Sequence, residues 1–84
     1  MTTPTTPTTM TCRQLGGPCD HELRGETADE VIQAQDRHLR EAVRSGAVDH
    51  EAAHEAMKGR WRHPVRALGW YRDTQRAFAE LSAV

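Results

Sequence analysis

One capped, amphipathic helix near the middle of the chain constrains the fold more than any other feature of the sequence. Thr27 and Glu30 have the spacing of a capping box, in which each side chain accepts a hydrogen bond from a backbone amide near the other. Apolar residues then recur every three or four positions until Gly46, a typical C-terminal stop. The predicted buried stripe is Val31, Ile32, Gln35, Leu39, Ala42 and Val43, with His38 at its margin and Asp29, Gln33, Asp36, Arg37, Arg40 and Arg44 facing water.

A β-hairpin is predicted before this helix. Residues 11–14 and 21–24 are short strand candidates on either side of Gly16-Gly17, and consecutive glycines supply the positive φ angles of a tight turn. With these glycines as the turn, Gln14 pairs with Cys19, and Cys12 pairs with His21. Because side chains alternate along a strand, one face is predicted to carry Cys12, Gln14, Cys19, His21 and Leu23.

A second helix is predicted to follow Gly46. Asp49 is its candidate N-cap, and the helical pattern runs to about Gly59. One side of this helix is predicted to carry His50, Ala53, His54, Met57 and Trp61.

A third helix is predicted from Pro64, which suits a first turn, to about Ser82. Its apolar surface is too broad for a single buried stripe, which indicates that the helix either lies between two layers of the fold or contacts a protein partner or a second copy of the chain. The predicted partner surface is Trp70, Tyr71, Phe78 and Leu81. The expected fold class is α+β, with a short N-terminal β-hairpin packed on two or three α-helices.

Composition limits the size and location of this fold. Residues 1–10 are rich in Thr and Pro and are predicted to form a disordered tail, which leaves residues 11–84 as a single small domain. A domain of this size gains stability from a metal, a disulfide or a second subunit. The chain shows no signal peptide, no apolar run of membrane-spanning length and too few cysteines for a disulfide framework. We therefore expect a cytoplasmic protein without membrane contact.

Two cysteines and several histidines form a candidate metal site. Tetrahedral zinc takes four nitrogen or sulfur ligands, often from a hairpin and a following helix. Cys12 and Cys19 lie on the predicted hairpin, and His38 lies on the long helix. The fourth ligand is predicted to be His54, with His21 and His50 as alternates. The leading functional hypothesis is a non-enzymatic accessory or protein-interaction domain that carries a structural zinc ion.

Two other functional hypotheses remain open. The segment His50-Glu51-Ala-Ala-His54 matches the His-Glu-x-x-His pattern of zinc peptidases, and Cys12 or Cys19 could act as a redox thiol, so a small enzyme is the alternative. The third hypothesis is nucleic-acid binding through residues 58–76, where basic residues alternate with tryptophan. The preceding acidic segment would repel a polyanion, which places this hypothesis last.

The opening Thr11-Cys-Arg-Gln-Leu-Gly-Gly-Pro-Cys-Asp20, followed by Gly25-Glu-Thr27 and then His38, resembles a small bacterial family catalogued as domain of unknown function 1059. The resemblance extends from Met10 to about Ala42. It implies a compact α+β domain, assigns no activity, and marks Cys12, Cys19 and His38 as family positions. Members commonly carry a further histidine where this chain has Val43, so the resemblance implies that any fourth ligand lies elsewhere here.

Overall fold

A two-stranded antiparallel sheet and three helices make up the part of the chain that the computed structural model describes, residues 7–82. This arrangement confirms the predicted α+β hairpin-and-helix fold. No helix within that range is both long and apolar enough to cross a membrane. The elements are β1 (Thr8–Thr11), β2 (Glu22–Gly25), α1 (Ala28–Arg44), α2 (Glu51–Arg62) and α3 (Leu68–Ser82), with short 3-10 turns at Arg13–Leu15 and Val48–His50.

The hairpin loop contains a second pair of reciprocal capping bonds. The amide of Thr11 donates to Oε1 of Gln14 (2.8 Å), and the amide of Gln14 donates back to Oγ1 of Thr11 (3.1 Å). These bonds draw residues 13–15 into a 3-10 turn that ends at Gly16, whose φ is +99°. The prediction of a strand over residues 11–14 is therefore wrong beyond Thr11, and the strand extends back to Thr8 instead.

The predicted pairing of Cys12 with His21 is confirmed. The amide of Cys12 donates to the carbonyl of His21 (2.9 Å), which continues the register that sets Thr11 opposite Glu22. The predicted pairing of Gln14 with Cys19 is wrong, because the amide of Arg13 donates a hydrogen bond to the carbonyl of Cys19 instead (2.8 Å).

The first strand also corrects the predicted extent of the tail. Residues 8–10 lie in β1, where Met10 is 1% exposed and faces the core. Burial of this apolar side chain and pairing with β2 order a segment whose composition predicted disorder. Residues 1–6 of the predicted tail lie outside the described residues.

Helix α1 has the predicted ends. The amide of Glu30 donates to Oγ1 of Thr27 (3.2 Å), while the Glu30 carboxylate accepts from the amide of Glu26 (2.7 Å), one residue before the cap. At the other end Gly46 adopts a positive φ of +89°, and its amide donates to the carbonyl of Val43 (3.0 Å). This left-handed closure is why the helix stops at a glycine.

The second helix begins and ends differently from the prediction. Asp49 does not cap it, because residues 48–50 form a 3-10 turn and α2 begins at Glu51 without a side-chain cap. The helix continues through Gly59 to Arg62. Trp61, predicted to lie on the same side of the helix as Met57, is 51% exposed near the C-terminal end of α2, whereas Met57 is buried.

The connection between α2 and α3 follows from a proline. A proline disfavours the helical conformation of the residue that precedes it, and His63, which precedes Pro64, accordingly has φ −131° and ψ 68°. Residues 64–67 form turns, so α3 begins at Leu68 and not at Pro64 as predicted.

Two apolar clusters form the core. One lies between the sheet, α1 and α3, and the other lies between the hairpin loop, α1 and α2. The first contains Met10, Leu15, Leu23, Val31 and Phe78, and the second contains Cys12, Leu39 and Met57.

This packing changes the predicted partner surface. Phe78 is only 9% exposed and belongs to the first core cluster, so it is not available to a partner. Trp70 and Tyr71 are half-buried, and Leu81 is exposed. The prediction of a four-residue surface is therefore wrong for Phe78, since the side of α3 that carries this residue packs against the sheet.

A buried ion pair joins the three helices. Asp36, predicted to face water, accepts a hydrogen bond from Nη2 of Arg60 (2.9 Å), and both side chains are about nine-tenths buried. The same guanidinium lies 4.0 Å from the ring centroid of Trp70 and donates to the hydroxyl of Tyr71 (3.3 Å). One arginine of α2 thus contacts both α1 and α3.

Removal of one partner of this pair should be strongly destabilising. In Asp36→Ala the buried guanidinium of Arg60 loses its counter-charge, and we expect the free energy of unfolding to fall by about 3–5 kcal/mol in urea denaturation. The control is Glu41→Ala on the same helix, which removes the exposed ion pair between Glu41 and Arg44 (3.8 Å). Equal losses in the two variants would contradict a structural role for the buried pair.

Candidate metal centre

Four thiol and imidazole side chains converge where the hairpin loop, α1 and the start of α2 meet. One donor atom from each of Cys12, Cys19, His38 and His50 lies within 4.8 Å of the others. Cys12 precedes the first 3-10 turn, Cys19 lies in the loop before β2, His38 is on α1, and His50 ends the turn before α2. The hairpin loop therefore contributes two donors and α1 and the turn before α2 contribute one each, and together the four could hold a metal ion.

Two distances within this cluster match those between the ligands of a tetrahedral site. The Sγ atom of Cys19 lies 3.3 Å from Nε2 of His38 and 3.3 Å from Nε2 of His50. Around a tetrahedral zinc ion, ligand atoms at the usual bond lengths are about 3.3–3.8 Å apart. Cys12 and His50 are buried and the other two are half-buried, so the cluster is mostly shielded from water.

The fourth member of the cluster is His50 and not the predicted His54. The prediction placed both histidines on one helix that began at Asp49. Because His50 instead ends a 3-10 turn, it lies 6% exposed against the hairpin loop, whereas His54 lies one turn into α2. His50 was one of the two alternates.

His21, the other alternate, lies beside the cluster without contributing a donor to it. Its ring is stacked on that of His38, with centroids 4.3 Å apart and planes within 8°. His21 is exposed, and its stacked ring covers one face of the half-buried His38 ring.

Asp49 orients His50. Its Oδ1 lies 2.8 Å from Nδ1 of His50, which leaves Nε2 directed at Cys19. A carboxylate on the second ring nitrogen is typical of metal-bound histidines, because it fixes the tautomer and makes the ring a stronger donor. The hydrogen bond that Nδ1 of His50 donates to Asp49, followed by the contact with Cys19, also raises the pKa of His50 above its ordinary value.

His38 is shifted in the opposite direction. Burial, followed by the nearby imidazoles of His21 and His50, lowers the pKa of His38 below its ordinary value of 6.5. The ring is therefore neutral at pH 7, which is the form that binds a metal.

Gln35 supports Cys12 from the buried face of α1. Its Nε2 donates to the Sγ atom (3.3 Å) and lies 3.4 Å from the backbone carbonyl of Cys12, which is fully buried. Sequence analysis placed Gln35 in the buried stripe but assigned it no role in the site. The feature that could have indicated this role is a polar amide side chain at an otherwise apolar position.

Gly17 leaves space for the Cys12 thiol. A Cβ atom at this position would overlap Sγ of Cys12 and would lie 3.1 Å from Nε2 of Gln35. Gly17 does not have a positive φ, so the requirement for glycine here is the close approach of the sulfur.

Gly17→Ala should therefore destabilise the protein and displace the Cys12 thiol. We expect the free energy of unfolding to fall by about 1–3 kcal/mol in urea denaturation, the usual cost of an added methyl group in a packed interior. Gly69→Ala is the control, because a Cβ atom on Gly69 in α3 meets nothing within 4 Å. An unchanged stability in Gly17→Ala would show that the sulfur is not fixed at this position.

The geometry disfavours the pairing of His50 with His54 that a zinc peptidase requires. Nδ1 of His50 is engaged by Asp49 and its Nε2 by Cys19, so neither ring nitrogen remains for a second site with His54. Glu51 is exposed to solvent.

Some basic side chains of residues 58–76 form ion pairs within the fold. Arg60 is buried with Asp36, and Lys58 pairs with Glu55 (2.7 Å). Trp61 remains exposed, with the guanidinium of Arg40 lying 5.9 Å from its ring centroid. Nucleic-acid binding by residues 58–76 stays a prediction.

Comparison with known proteins identifies no relative of the chain. No protein-family model matches the chain, and no curated protein or solved structure is significantly similar to it. The resemblance to domain of unknown function 1059 therefore stays a prediction.

Proposed function

We propose that the chain is a small zinc-stabilised accessory or interaction domain in which Cys12, Cys19, His38 and His50 hold one structural Zn²⁺ ion. The convergence of two thiols from the hairpin loop with one imidazole from α1 and one from the turn before α2 supports this proposal. Apolar packing alone would not require these four donors to meet. It would also not require a carboxylate beside one of the histidines and a side-chain amide beside one of the cysteines.

The donor set favours zinc over other common cations. Calcium and magnesium take oxygen ligands, whereas two sulfur and two nitrogen donors in a tetrahedral arrangement are typical of structural zinc. The hydrogen bonds from Gln35 to Cys12 and from His50 to Asp49 are the outer contacts that such a site needs.

A structural role follows from the number of ligands. Catalytic zinc sites keep one coordination position open for water or substrate, while four protein ligands close the site. Cys12 and Cys19 also pack in the second core cluster with Leu39 and Met57. A bound ion would therefore join the hairpin loop to α1 and α2 at a place where the small domain has few apolar contacts.

The interaction role is proposed for the exposed side of α3. Leu81 is 42% exposed, and the half-buried Trp70 and Tyr71 lie on the same helix. A protein partner or a second copy of the chain would cover this surface. A redox role for the two free thiols is the alternative, and it predicts an internal disulfide where the zinc proposal predicts a bound ion.

Loss of zinc or of one ligand should lower stability sharply. We expect a chelator to unfold the wild-type chain or to reduce its free energy of unfolding by several kcal/mol, because metal-binding energy contributes directly to folding. His50→Ala should reproduce most of that loss, at least about 3 kcal/mol, and should make stability insensitive to added zinc. Circular dichroism in urea, with and without zinc, measures both effects.

His54→Ala is the matched control for this experiment. His54 is half-buried in the first turn of α2, four residues after His50, and it is not among the four donors. Its replacement should cost little and should leave the response to zinc intact. A zinc response that persists in His50→Ala but disappears in His54→Ala would overturn the assignment of the fourth ligand.

A further inference from the structure

A second concave site lies beside the metal centre. A predominantly apolar cavity of about 460 Å³ opens between α1, α2 and the start of α3. This volume lies within the range of small-molecule sites in proteins. Leu39, Met57 and Trp70 contribute large apolar walls, and none of the four metal-ligand candidates lines the cavity.

The charge of the cavity wall is positive. Arg60 lines it, but the charge of Arg60 is already balanced by Asp36. Arg66 also lines it, is exposed, and has no ion pair with any residue in the range 7–82. Within the same range no aspartate or glutamate lines the cavity. An anionic group near Arg66 would therefore complement the site.

Gln35 provides a buried acceptor without a donor. It lines the cavity and is 1% exposed, and its Oε1 has no hydrogen-bond partner in the described structure. The orientation of this amide is fixed, because its Nε2 faces the carbonyl of Cys12, which can only accept. A buried acceptor left unpaired is unfavourable, so a ligand that donates a hydrogen bond here would remove that cost.

Gly59 keeps the cavity open. It lies inside α2, where glycine is less favourable than alanine, and its φ is not positive. A Cβ atom at Gly59 would meet nothing within 4 Å, so local packing does not require glycine. Because Gly59 lines the cavity, a larger side chain would project into the space that a ligand would fill.

We propose that this cavity binds a small aromatic carboxylate whose ring carries a hydrogen-bond donor, such as an indole carboxylic acid. The ring would pack against Trp70 and Met57, and the carboxylate would pair with Arg66. The ring N–H would donate to Oε1 of Gln35 after a local movement of the cavity wall, because this oxygen has almost no accessible surface in the free protein. None of the four proposed zinc ligands lines this cavity, so each proposal can fail without the other.

Three matched probes test this ligand class in calorimetric titrations of the folded 84-residue chain. Indole-3-propionate should bind. Its N-methyl derivative lacks the donor and should bind about tenfold more weakly, the loss expected for one unmatched hydrogen bond. Tryptamine has an ammonium group in place of the carboxylate. It should bind at least tenfold more weakly than indole-3-propionate, because its positive charge would be repelled by the guanidinium of Arg66. Equal affinities for the three probes, or no binding of indole-3-propionate at millimolar concentration, would overturn the proposal.

Variants locate the bound probe. Gly59→Leu should fill the cavity and abolish binding of indole-3-propionate, while Gly69→Leu on α3, outside the cavity lining, should leave it unchanged. Arg66→Ala should weaken binding about tenfold, while Arg72→Ala should not. Arg66 and Arg72 are both exposed, so these two variants remain informative if Gly59→Leu fails to fold. Full affinity in both Gly59→Leu and Arg66→Ala would place the probe elsewhere and contradict the proposal.

Discussion

The backbone and side chain of Cys12 connect the hairpin to the first helix. Its amide pairs with His21, and its carbonyl accepts from the amides of Leu15 (3.1 Å) and Gly17 (2.8 Å) and lies 3.4 Å from the side chain of Gln35. Its thiol is fully buried and belongs to the four-donor cluster. The hairpin loop, the buried face of α1 and the proposed metal centre therefore all depend on the position of this residue.

Two polar side chains extend this arrangement through the helices. Gln35 contacts Cys12 on one side and lines the apolar cavity on the other, so the two proposed sites share a wall. Arg60 joins α1 to α3 through Asp36 and Trp70. In a domain with two small apolar clusters, these directional contacts specify how the helices meet, which apolar packing alone would leave loosely defined.

Local patterns predicted much of the fold and part of the site. The ends of α1 followed from Thr27 and Gly46, because capping is determined within a few residues. The choice of His50 over His54 did not follow, since it depends on a 3-10 turn that helical periodicity does not reveal. Likewise, Asp36 looked like a surface residue because its partner lies 24 positions later in the chain. Contacts between distant segments leave no mark on the pattern of one helix.

The central claim is that the four donors bind one metal ion, and the masses of the native and denatured protein test it most directly. The chain, produced with ample zinc, should have a native mass larger than its denatured mass by one zinc ion, less the protons that the two thiols release. Identical native and denatured masses would contradict the account. A native mass smaller than that of the fully reduced chain by two hydrogens would instead show a disulfide between Cys12 and Cys19.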